Sequence, residues 1–236
     1  MIEEVLKNLG PLSHLAGIWE GVTGEDTALS DDRGTEENKF RERMVLEPTG
    51  LTQNHEQSLY GLRYHMQAWR IGESDPFHDE TGYWLWDAQA KEVMKCVTIP
   101  RGVALIAGGH AEPDAKHFKL TAKLGSPDFG ICSNPFLDRE FKTVRFDFEM
   151  TFNDDGSFTY DEVTAIQIKG LDRGLQFHTV VCRSRRSTAD LTVMVTVFKC
   201  CSPSSRPGVS VAAAIGMYRY FLHRNKLFDL VQLVKI

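Results

Sequence analysis

The feature that most restricts the fold of this chain is a two-residue period. From Val144 to Phe152 the apolar residues Val144, Phe146, Phe148, Met150 and Phe152 alternate with Arg145, Asp147, Glu149 and Thr151. Successive side chains on a pleated strand point to opposite faces, so the pattern predicts a strand with one buried and one wet face. Turn chemistry follows in Asn153-Asp154-Asp155-Gly156, and Phe158, Tyr160, Thr164, Ile166 and Ile168 continue one face of a second strand. Together the two segments read as a hairpin. The same alternation runs through Tyr60, Leu62, Tyr64, Met66 and Ala68, and again through Phe118, Leu120, Ala122 and Leu124. Shorter candidate strands are 18–23, 39–47, 82–87, 92–99 and 102–109.

About nine strands thus precede residue 170, joined by short turns and interrupted by no ten-residue helical pattern. That count argues against parallel βαβ architecture. The expectation is an all-β fold, an antiparallel up-and-down β-barrel of about ten strands, because closure leaves no unpaired edge. A two-sheet sandwich is the structural rival. Val5, Leu6 and Leu9 precede the Gly10-Pro11 break at near-helical spacing and predict a short leading helix. Residues 125–135, which hold Gly125, Pro127, Gly130 and Pro135, lack periodicity and read as a loop at a barrel mouth. The barrel is assigned to 1–198. Residues 199–236 form a tail: a Ser/Pro-rich linker at 202–208, then an amphipathic helix on Leu227, Leu230, Val231 and Val234. That helix is expected to dock on the barrel or on a second subunit, as in a homodimer.

Charge is distributed unevenly. Residues 1–179 hold 18 Lys+Arg against 30 Asp+Glu, a balance of −12, whereas residues 180–236 hold 9 against 2, a balance of +7. An acidic body argues against nucleic acid as partner, since phosphate binding is driven by basic surface. Arg183, Arg185 and Arg186 read as a solvated run. No apolar run approaches the roughly 20 residues of a membrane-spanning helix. Glu3 and Glu4 stand where a secretory leader carries basic residues. Five cysteines in no regular framework suit free thiols in a reducing compartment, so a cytoplasmic location is expected.

Several catalytic signatures are missing: there is no nucleophile elbow, P-loop, zincin helix or paired Cys-x-x-Cys. The glycines around Gly17-Ile18-Trp19-Glu20-Gly21 precede no strand-to-helix transition and make no dinucleotide fingerprint. They suit a first barrel strand in which Trp19 plugs one end. His14, His55, His65, His110 and His117 do not assemble into metal-ligand spacing.

Three segments carry a resemblance. Leu15-Ala16-Gly17-Ile18-Trp19-Glu20-Gly21, then Phe77-His78-Asp79-Glu80-Thr81-Gly82-Tyr83-Trp84, then Gly174-Leu175-Gln176-Phe177-His178-Thr179 resemble, in order and spacing, the nitrobindin family of fatty-acid-binding-protein-like, haem-binding β-barrels over about residues 9–179. The resemblance implies a ten-stranded, calycin-like barrel holding haem b at its mouth, with His178 as the axial iron ligand and His78 near the distal face. It further implies nitric oxide binding and isomerisation of peroxynitrite to nitrate at ferric haem. Residue chemistry agrees as far as it goes: neutral imidazole suits iron, and Phe177 is placed to flank a macrocycle. The histidine at 78 also reads as a turn residue capping its strand, and Glu80 as an orienter of that loop. The competing function is a non-enzymatic carrier of a fatty acid or other apolar ligand, with Tyr64, Met66, Phe146, Phe148 and Ile166 lining the lumen.

The resemblance stops at residue 179, where the charge balance also flips. An altered reading frame or a spliced-on segment would leave such a break. The barrel is therefore expected to lack the family's own last strand, with residues 191–197, β-branched and apolar, as its replacement.

Overall fold

The computed structural model describes residues 2–171 and 176–187. Helix α1 (Ile2–Lys7) and a 3-10 turn (Gly10–His14) lead into eleven strands: β1 (Gly17–Leu29), β2 (Thr35–Asn54), β3 (Gln57–Arg70), β4 (His78–Asp87), β5 (Glu92–Ile99), β6 (Val103–His110), β7 (His117–Leu124), β8 (Gly130–Ser133), β9 (Phe141–Phe152), β10 (Phe158–Ile168) and β11 (Gln176–Arg186). A short helix α2 (Pro135–Glu140) precedes β9, its first turn capped by the Asn134 side chain, which accepts from the N–H groups of Phe136 and Leu137. The strands close into one barrel in the order β1-β11-β10-β9-β7-β8-β6-β5-β4-β3-β2. Neighbours in sequence are neighbours in space nearly throughout, as an up-and-down meander requires.

The alternating segments are strands where the period placed them, and several of the strands run on beyond their candidates, β1 to Leu29 and β2 from Thr35 to Asn54. Two expectations need correction. Residues 125–135 are not all loop: Gly130–Ser133 forms β8, which pairs parallel to β7 and antiparallel to β6. A four-residue strand is too short to display a period, which accounts for eleven strands where about ten were expected. The last strand also survives the break in resemblance. Trp19 pairs with Arg186 and Thr27 with Thr179 on β1, while Phe158 pairs with Ser184 and Thr164 with His178 on β10, so β11 closes the barrel with residues from both sides of position 179. The proposed replacement strand at 191–197, the linker and the tail helix lie outside the described residues.

One end of the lumen is sealed by apolar packing. Leu9, Leu12 and Leu15 from the leading segment are fully buried. Trp19 donates its indole N–H to the Leu15 carbonyl (2.7 Å) and meets Phe158 edge to face at 4.8 Å between centroids. Phe118, Phe152 and Phe158 complete the layer. Gly10 sits at φ +54°, and a Cβ there would lie 2.5 Å from the Trp86 ring, so glycine both permits the turn and lets the plug approach the strands. Among the described residues no helix is long and apolar enough to cross a membrane.

Candidate functional site

Away from the plug the lumen changes character. Strand parity turns Glu42 of β2, Glu80 of β4, Lys95 of β5, Glu162 of β10 and Asp26 of β1 inward, and four of the five are less than 5% exposed. Ionised side chains at such burial persist when they are paired. Lys95 Nζ lies 3.1 Å from Glu80 Oε1 and 3.7 Å from Glu162 Oε2. Four rings surround the ammonium: Phe148 at 4.7 Å from its centroid, Phe146 at 5.6 Å, and Tyr64 and Trp84 at 5.7 Å. Their negative faces replace part of the hydration that the lysine has lost.

Protonation follows from these neighbours. Burial works against the Glu80 carboxylate, but Lys95 and then His78 overcome it and bring Glu80 down to about 2. Glu162, farther from the same ammonium, is raised by its burial. Burial also disfavours charge on Lys95, and Glu80 and Glu162 more than restore it. Glu42 belongs to a separate cluster, accepting from Tyr160 Oη at 2.6 Å and from the Ser184 hydroxyl, and burial raises it despite both bonds. Gly21 makes room for this group: a Cβ there would fall 2.5 Å from Cys182 Sγ and 2.9 Å from Glu42 Cγ.

Both histidines singled out in the sequence face the lumen at the end remote from the plug, where solvent reaches them. Their side chains are 26% (His78) and 28% (His178) exposed. His178 Nε2 lies 2.5 Å from Asp26 Oδ1. Burial lowers its basicity, but the hydrogen bond and the charge of Asp26 outweigh that and raise it. His78 Nε2 stands 3.5 Å from Glu80 Oε2, and its pKa too is raised, Glu80 overcoming burial. The charge on His78 is felt at His178, and Glu162 acts on both.

Phe177 is a correction. Adjacent residues of a strand face opposite ways, so with His178 inward Phe177 stands on the outer wall, 50% exposed, and does not flank a ligand in the lumen. Glu80 is likewise no loop orienter but a buried lumen carboxylate. His65, His110 and His117 lie outside the barrel wall beside Asp79, Glu112 and Glu149. The charged lumen escaped the sequence reading although a signal existed: Glu42 between Phe40 and Met44, Lys95 between Val93 and Val97, and Glu162 between Tyr160 and Thr164 each interrupt an apolar phase.

The donor set suits haem iron in kind. His178 is an inward imidazole on the closing strand, accessible and flanked by a carboxylate, the arrangement by which proteins orient a metal-binding histidine. In its present rotamer Nε2 is engaged by Asp26, so an iron bond from that nitrogen requires release of the carboxylate.

Comparison with known proteins agrees with this architecture. A solved structure from M. tuberculosis, Rv2717c, superimposes with a TM-score of 0.53 at 19% identity, covering 78% of this chain and 98% of its own, which is likeness of fold. No curated protein matches by sequence. The family model for the THAP4-like, heme-binding beta-barrel domain matches residues 8–180. The chain therefore belongs to the THAP4-like family of haem-binding β-barrels, the nitrobindin family.

Proposed function

We propose that the chain binds haem b at the unplugged end of the barrel, with His178 as axial ligand and His78 on the opposite side of the ligand pocket. The observation that carries this reading is the placement of His178: lumen-facing, solvent-accessible and at the unsealed end of a barrel whose family binds haem. Bound iron would supply nitric oxide binding and isomerisation of peroxynitrite to nitrate, a rearrangement that consumes no external acid or base. The chain's own part is to hold the imidazole, limit access and set polarity. Asp26 keeps the His178 ring oriented until it turns to the metal, and must afterwards be satisfied by solvent or by the other ring nitrogen. His78 presents a polar group where an oxygen-rich ligand would sit, and distal polarity governs what haem iron does.

The apolar-carrier reading is less well supported by the lumen. Tyr64, Met66, Phe146 and Phe148 do line it, but Asp26, Glu42, Glu80 and Glu162 share it, and Lys95 is already paired. Among the described lumen residues a fatty-acid carboxylate would meet Asp26 and Glu80, and the lumen ammonium of Lys95 is already paired.

The test is a haem titration of the purified chain followed in the Soret region. The native chain should give a saturable Soret shift, His178→Ala should lose it or weaken it at least tenfold, and Phe177→Ala should leave it unchanged. A Soret response identical in native chain and His178→Ala removes the ligand assignment.

A further inference from the structure

A lysine at the centre of a barrel lumen calls for a reason beyond stability. Taking an ammonium and its carboxylates out of water costs about what their attraction returns, and apolar residues of similar volume commonly do as well or better. Here the ammonium is caged by four rings and 3% exposed, in a strand whose inward neighbours are Val93 and Val97. Its nearest carboxylate is used twice. Glu80 Oε1 faces Lys95 Nζ at 3.1 Å, and Glu80 Oε2 faces His78 Nε2 at 3.5 Å. Glu80 is 2% exposed, so it has no aqueous rotamer to escape to. A caged cation in the interior thus lies in ion-pair range of one oxygen of a carboxylate while the other oxygen faces an imidazole that solvent can reach.

We propose that Lys95 is a positioning residue: by fixing Glu80 it fixes the His78 imidazole, directing the ring toward the ligand side of the pocket opposite His178. This rests on the reading of the pocket given above. Five groups act on this ring or its partners from separate strands: Glu80 on β4, Lys95 on β5, Glu162 on β10, His178 on β11 and, beyond His178, Asp26 on β1. A purely structural ion pair would not need to share its carboxylate with a solvent-accessible histidine. Sharing makes the barrel interior the anchor for a side chain at the first residue of β4, and supporting contacts of this kind are what give a site its precision.

The experiment is a double-mutant cycle read on the His78 imidazole by NMR titration of the full chain without haem. Glu80→Gln, nearly isosteric, should lower the His78 midpoint by about one unit or more and leave His178 close to its native value. In a Lys95→Met background the same Glu80→Gln change should move His78 by much less, because the carboxylate is no longer held against the ring. An unmoved His78 in Glu80→Gln overturns the proposal, and so does an equal effect of Glu80→Gln with and without Lys95. If Lys95→Met does not fold by circular dichroism, the cycle is repeated with Glu162→Gln added, which relieves one of the two stranded carboxylates. Because haem is absent from the measurement, failure of His178 to bind iron and failure of this coupling are separate results.

Discussion

The two ends of this barrel are built from the same strands and obey opposite rules. At the plugged end Leu9, Leu12, Leu15, Trp19, Phe152 and Phe158 exclude water by area, and the buried Trp19 indole N–H is satisfied by a backbone carbonyl. Toward the other end Asp26, Glu80, Lys95, Glu162, His78 and His178 are matched charge by charge. Apolar burial contributes about 25 cal/mol per Å² removed from water, whereas a buried ion network returns little net stability. Apolar packing, at the plug and in the aromatic wall around Lys95, therefore supplies most of the net stability, and the charged groups supply little. The two ends thus differ along one axis.

The largest expected effect breaks the plug. Trp19→Ala removes a 2% exposed indole and its contact with Phe158, and should cost about 3–5 kcal/mol in urea unfolding. Such a loss would show that the apolar end sets global stability. A cost below about 1 kcal/mol would place the stabilising core elsewhere.

Next is the ion network. Lys95→Met should cost about 3 kcal/mol, because Glu80 and Glu162 are left buried without their cation. Lys95→Met combined with Glu80→Gln should recover a large part of that loss. If the single substitution is neutral, the lumen near Lys95 is wet and the contrast between the two ends collapses.

The charged end also titrates, with signs that can be worked out. Glu80 is lower in the fold, about 2, than its ordinary 4.5. Its contribution is complete above 4.5 and is lost as pH falls through about 2. His78 and His178 are raised above 6.5, so their contribution is complete below 6.5 and fades as pH rises through the folded values. Urea midpoints should therefore decline on both sides of a mildly acidic range, and Glu80→Gln should flatten the acid limb. An acid limb unchanged by Glu80→Gln would assign it to other carboxylates.

The smallest effect lies on the outer wall. Lys119 pairs with Glu149 at 2.7 Å, but the lysine is 67% exposed, so Lys119→Ala should change stability by no more than about 0.5 kcal/mol in the same unfolding assay. A larger loss would mean that this outer pair contributes more than an exposed ion pair ordinarily does.

Legibility in the sequence divides along the same axis. The plugged end was readable because Trp19, Phe152 and Phe158 satisfy both the apolar phase and the turn signals around them. Long strands announced themselves by alternation, while β8, at four residues, had no period to show. The site was half readable. His178 and His78 stood out as segments of a family pattern, but which face Phe177 takes depends on the register of β11, set by pairing with the neighbouring β10 and with β1 about 150 residues away in the chain. Lys95, Glu80 and Glu162 were present as interruptions of apolar phases, yet their meaning required three strands to converge. β5 in particular has Met94 and Cys96 in the opposite phase, so its inward face is ambiguous from sequence alone.

The central claim is that the unplugged end presents His178 to haem iron, and chemical rescue tests it most directly. Removing the side chain in His178→Gly leaves Glu80, Lys95 and Glu162 in place and deletes the proposed donor. The account predicts that haem added to His178→Gly lacks the native Soret position, and that free imidazole restores it in a saturable manner. A native spectrum in His178→Gly without imidazole would contradict the account.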